Sequence, residues 1–123
     1  MIAQKKKFYN RLKEVKKRTG EIVPFDKKKI EEVIYKELTA TGAGGKTLSR
    51  ELSTRVIKIL NRRFKNGEIP SVEEIQDIVE EVLILENLVE TSKAYILYRD
   101  QRRALRESRI VTDEAISLVD EYL

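Results

Sequence analysis

Apolar residues along most of this chain recur at the three- and four-residue spacing of amphipathic helices. Ile30, Val33, Ile34 and Leu38 fall at i, i+3, i+4 and i+8 and form one helical stripe. Asp26 precedes the stripe as an N-cap whose carboxylate can accept a bond from an otherwise orphaned amide, and Thr41-Gly42-Ala43-Gly44-Gly45 ends it. From Leu48 a second stripe of Leu52, Val56, Ile59, Leu60 and Phe64 runs to a stop at Asn66-Gly67. Pro70 and Ser71 open a third helix, in which Ser71 and Glu74 have the S-x-x-E spacing of a capping box. Its buried face is Val72, Ile75, Val79, Val82 and Leu83. Asn87 is a left-handed stop, and Leu88, Ala94, Tyr95, Leu97 and Tyr98 mark a fourth helix with a basic C-terminal half. Thr112, followed by Asp113 and Glu114, starts a fifth helix that reaches Leu123 without a stop signal, which predicts that the chain continues into a further domain.

The first helix is preceded by a different pattern. From Glu14 to Phe25, two short segments with β-branched or aromatic residues flank Thr19-Gly20, where glycine can supply the positive φ of a tight turn. This predicts a β-hairpin. Two strands alone are marginal in water, so the hairpin must lie on the helices. The expected fold is mainly α with a small β-hairpin.

Composition narrows the chemistry. The 123 residues, 41% hydrophobic, suit one compact domain, and the 37% charged residues read as helix surface because the apolar spacing is regular. With no cysteine and no histidine there is no disulfide, thiol nucleophile or imidazole base, and catalysis within the chain is not expected. No apolar run approaches the ~20 residues of a membrane span, and no signal peptide is visible, which predicts a cytoplasmic protein without a membrane partner. The net charge of +4 is modest but unevenly spread. Lys5, Lys6, Lys7, Arg11, Lys13, Lys16, Lys17 and Arg18 crowd one end against Glu14 alone, and Lys93, Arg99, Arg102, Arg103, Arg106 and Arg109 crowd another segment. If the two segments fold together they form an anion site.

Two strings could serve a nucleotide. Ala40-Thr41-Gly42-Ala43-Gly44-Gly45-Lys46-Thr47 fits a relaxed P-loop, but a P-loop needs a preceding strand, and here a helix precedes it. A turn between antiparallel helices explains its glycines. The other string, Lys17 to Asp26 followed by Lys29-Ile30, puts two cations on a hairpin strand and then starts a helix whose amide end and Lys29 can face the same anion. That arrangement suits a triphosphate. Ordinary roles are assigned elsewhere: Tyr95, Tyr98 and Phe25 to the core, Arg102, Arg103 and Arg106 to a solvated helix end, and the Glu73-Glu74 and Glu80-Glu81 pairs to helix surface.

The pattern V-x-K-R-x-G-x-x-x-P-F-D-x-x-K-I, from Val15 to Ile30, resembles the opening signature of the ATP-cone family. Val72 to Glu80 and Ser92 to Arg99 resemble the family's third and fourth helices, in order. The similarity covers about residues 13 to 103. It implies a four-helix bundle capped by a hairpin lid, with ATP or dATP, together with Mg2+, held between lid and helix ends as an allosteric effector. Carried over by position, Val15, Lys17 and Arg18 line the lid side, Asp26 lies near the adenine, and Lys29, with Ile30 beside it, approaches the phosphates. Gln76 contributes from the third helix, and Lys93 and Arg99 from the fourth. Thr19 departs from the acidic or amide residue common at its position, which bears on the turn.

Residues 1–11 carry little periodicity and are expected to be a flexible basic tail, and the resemblance implies 12–106 as the cone and 107–123 as a linker and the start of a helix leading to a catalytic domain. Arg109 to Ile116 resembles the linker that joins the cone to the catalytic barrel of anaerobic ribonucleoside-triphosphate reductases. The implied partners are that barrel and other cones, in a homo-oligomer. The repressor branch of the family carries a zinc ribbon before its cone, which a chain without cysteine cannot build. The alternatives are the cone of another reductase class or of a transcriptional regulator, a basic helical nucleic-acid-binding module, and an ATP-hydrolysing enzyme, which would lack both a P-loop and a general base.

Overall fold

The computed structural model describes residues 8–108. Strands β1 (Glu14–Lys16) and β2 (Ile22–Pro24) are followed by helices α1 (Lys27–Ala40), α2 (Lys46–Arg63), α3 (Val72–Leu85) and α4 (Val89–Glu107). The fold is thus mainly helical with one antiparallel hairpin, in register Glu14 with Pro24, Val15 with Val23 and Lys16 with Ile22. Gly20 makes the hairpin turn at φ +91°, a left-handed conformation that side chains resist.

Local signals set the helix boundaries. The Asp26 carboxylate accepts the Lys28 amide at 3.0 Å and starts α1. Ser71 and Glu74 form the reciprocal capping box at α3, and Asn87, at φ 58°, turns the chain into α4. α2 begins at Lys46, two residues ahead of Leu48, and is capped by Gly45. It ends at Arg63, where Phe64 becomes extended, and Asn66 and Gly67 then supply two left-handed residues of the following turn. The segment resembling a P-loop is the link between α1 and α2, with no strand before it.

α1 packs on α2, α2 on α3, α3 on α4, and α1 also meets α4. Ile30, Ile34, Leu38, Leu52, Val56, Ile57, Leu60, Ile75 and Leu83 fill the centre with at most 1% exposure. Each large aliphatic side chain buried in this way contributes about 1.5–3 kcal/mol of transfer free energy. Leu97, expected on the apolar face of α4, is instead 59% exposed. Two positions after Tyr95, it is rotated by roughly 200° to the far side, while Thr91, Ser92, Tyr95 and Arg99 form the buried stripe.

The hairpin is fastened to the bundle. Val15 has no exposure and enters the core, and the Lys16 amide donates to the Pro70 carbonyl at 3.0 Å, so β1 also pairs with the segment that leads into α3. The end of the expected N-terminal tail is tied to α2. The Arg11 amide donates to the Asn61 side-chain oxygen and the Arg11 guanidinium to the Asn61 carbonyl, both at 2.8 Å. Lys5 to Lys7 and the helix expected from Thr112 lie outside the described residues. Among those described, no helix is long and apolar enough to cross a membrane.

Candidate functional site

Because β1 is stitched beside the start of α3, the residues after it project across that helix. Arg18 donates from Nε to Glu73 Oε1 at 2.8 Å and from Nη2 to Gln76 Oε1 at 3.1 Å. Arg99 reaches the same place from α4. Its Nε donates to Gln76 Oε1 at 3.1 Å and its Nη2 to Glu73 Oε2 at 3.0 Å. Its Nη1 serves Asp77 at 3.1 Å and Glu80 at 2.6 Å. One amide oxygen therefore accepts from two guanidinium groups, and one carboxylate bridges the same pair. The hairpin, α3 and α4 meet at this point.

Electrostatics hold the groups charged. Burial raises the Glu73 carboxyl, but Arg18 and Arg99 together outweigh it and keep the group below the usual carboxylate range. Burial likewise opposes the charge on Arg99, and its bonds to Glu80 and Asp77 more than compensate. Two cations thus face three carboxylates, with Gln76 4% and Arg99 9% exposed. One turn before Arg99 on the buried face of α4 is Tyr95, fully buried, whose phenol is pushed up by burial. Its ring stacks on Tyr98 with centroids 6.4 Å apart, and Lys36 and Arg102 each lie 4.9 Å from the centre of the Tyr98 ring.

Of the nine residues expected at a nucleotide site, Arg18, Gln76 and Arg99 are joined in this network. Lys17 lies half-buried at the hairpin turn, where its amide donates to the Glu21 carbonyl at 2.8 Å. Asp26 and Lys29 stand in and beside the first turn of α1, both half-buried. The side chains of Val15 and Ile30 have no exposure and belong to the hydrophobic core rather than to a solvent-facing contact. Lys93 lies on the outer side of α4, 71% exposed, 3.9 Å from Glu90.

Glu73 and Glu80, expected as plain helix surface, are instead the carboxylates that hold the arginines. Their signal in the sequence was the spacing of Glu73, Gln76, Asp77 and Glu80 at i, i+3, i+4 and i+7, one polar stripe on α3 facing a basic helix. Glu74 and Glu81 do other work: Glu74 closes the capping box and Glu81 pairs with Arg63. A separate cleft of about 420 Å³ between the N-terminal half of α1 and the start of α2, lined by Lys28, Glu32, Tyr35, Lys46 and Arg50 among others, contains none of the nine.

The chain is 43% identical over 103 residues to the vitamin B12-dependent ribonucleoside-diphosphate reductase of Thermoplasma acidophilum, a match covering 80% of this chain and 13% of that protein. It is 30% identical over 115 residues to the ribonucleoside-diphosphate reductase subunit alpha of Chlamydia pneumoniae, covering 86% of this chain and 11% of that one. The corresponding subunit of Chlamydia muridarum is 30% identical over 100 residues, covering 74% and 10%. The chain therefore spans roughly a tenth to an eighth of the length of these relatives. Residues 13–104, which take in the hairpin, all of α1, α2 and α3 and most of α4, match the ATP cone domain, and the chain belongs to that family.

Proposed function

We propose that this chain is the effector-sensing unit of a ribonucleotide reductase, binding ATP or dATP where the hairpin meets the helix ends. The observation that carries the reading is the meeting of Arg18 and Arg99 on the side-chain oxygen of Gln76. Two planar guanidinium groups from separate elements form a bidentate receptor for phosphate oxygens. Lys17 and Lys29 supply further positive charge from the turn and from the first helical turn. Asp26 lies on the adenine side, Val15 and Ile30 pack in the core, and Mg2+ arrives with the triphosphate. The chain itself performs no chemistry.

Regulation follows from differential binding. ATP and dATP differ only at the 2′-hydroxyl, so an activity switch requires that this group favour one arrangement of the hairpin over another. Coupling energies of this kind are about 1–3 kcal/mol. ATP permits turnover in the catalytic barrel, dATP stops it, and altered contacts between cones or between cone and barrel carry the difference. The relatives support a reductase as the parent. The anaerobic triphosphate-reducing type rests on the resemblance of Arg109 to Ile116 to its linker.

Calorimetric titration of the 123-residue chain with ATP and with dATP, paired with sedimentation of each complex, tests the reading. Saturable binding of both, with different assembly states, is expected. No binding of either nucleotide refutes the sensor role, and identical assembly states refute transmission through cone contacts.

A further inference from the structure

Among the described residues, one buried side-chain polar atom has no hydrogen-bond partner: the hydroxyl of Tyr95. The residue has no exposure, and phenylalanine would fill the same volume without carrying a polar group into the core. Tyr95 lies one helical turn before Arg99 on the same buried face of α4, and Arg99 is the group through which α4 joins the network with the hairpin and α3. The unpartnered hydroxyl thus belongs to a buried side chain one turn from the guanidinium on which the network converges.

We propose that the Tyr95 hydroxyl is a ligand contact, donating a hydrogen bond to the phosphate chain of the nucleoside triphosphate bound at Arg18 and Arg99. The inference rests on the effector-binding reading above and adds to it a residue and a sequence of exchange. Glu73 now spans both arginines, with one oxygen on each. A triphosphate presents the same kind of acceptor with more charge, and it replaces Glu73 between them. The released carboxylate is 47% exposed and turns to solvent at little cost. Once Arg18 and Arg99 rotate toward the incoming oxygens, the network one turn from Tyr95 opens and the phenol gains the acceptor it lacks. Tyr98, half-buried and flanked by Lys36 and Arg102, has no such role.

The test compares the wild-type chain, Tyr95→Phe and Tyr98→Phe by calorimetry with ATP and with inorganic triphosphate, alongside ligand-free thermal melts. Tyr95→Phe is expected to melt at or above the wild-type temperature without ligand, since it removes an uncompensated polar group. It is expected to bind both ATP and triphosphate about tenfold more weakly, the worth of one net hydrogen bond to a charged acceptor. Tyr98→Phe is expected to bind like wild type. Unchanged affinity of Tyr95→Phe for both ligands overturns the proposal, as does a ligand-free melting loss without an affinity loss, which would assign the hydroxyl a purely structural part. An equal loss of affinity in Tyr98→Phe overturns it as well. Failure of the wild-type chain to bind ATP removes the effector reading itself, and this inference with it.

Discussion

Replacing Arg99 with methionine removes the group on which three elements converge while keeping most of its aliphatic stem. The wild-type guanidinium makes four polar contacts between 2.6 and 3.1 Å, and its side chain is 8% exposed. Breaking a fully buried ion pair by deleting one partner costs about 3–5 kcal/mol, because the other partner is left buried and uncompensated. Here the partners differ. Asp77 is 68% and Glu73 47% exposed, so both regain water, and exposed pairs of this sort are worth about 0–1 kcal/mol each. Glu80, at 26%, and Gln76, at 4%, keep most of the penalty. The expected net loss is therefore about 2–3 kcal/mol, a fall of roughly 10–20 °C in melting temperature for a domain of this size. Urea unfolding of the two chains, with an unchanged slope as evidence that the same surface unfolds, measures it. A loss below about 0.5 kcal/mol would refute the reasoning, because that is the range of ordinary surface substitutions.

Three further outcomes are expected. Glu37 is 6% exposed and its carboxyl is raised above the ordinary 4.5 by burial, with Lys36 opposing, so the folded chain holds this proton more tightly than the unfolded one. Its stabilising contribution is complete below about pH 4.5 and is lost as pH rises through the folded value; Glu37→Gln should remove that decline, and wild-type and variant melts that stay parallel across a pH series would contradict it. Glu73, held low by the arginines, acts in the opposite sense and loses its contribution as pH falls. Gly20→Ala meets no atom within 4 Å, yet the +91° φ should cost about 1–2 kcal/mol through the backbone alone. An alanine variant as stable as the parent in urea would show that the turn relaxes freely.

Much of this architecture is written in short-range signals. Asp26, the Ser71–Glu74 pair and Asn87 each act within one turn of their own position, and the structure places the boundaries at them. Helix faces were legible where apolar residues repeat, and misleading at Leu97, whose hydrophobicity carries no information about the direction it faces. The site was harder to read, because its geometry depends on residues 19 to 81 positions apart. Arg18 and Arg99 could be named from charge density and motif. Nothing local reveals that Glu73 and Glu80 are their partners, since a glutamate on a helix has the same appearance in sequence whether it meets water or an arginine. Val15 is a related case: its place in the motif marks the site, but its side chain has gone to the core.

The bond from the Lys16 amide to the Pro70 carbonyl sets how the hairpin can move. With β1 anchored along one edge and Arg18 of the turn bonded to α3, the hairpin is held at two places and cannot lift away as a unit without breaking both. Any displacement of that seam also pulls on the strand of chain that begins α3, where Gln76 sits little more than one turn farther on.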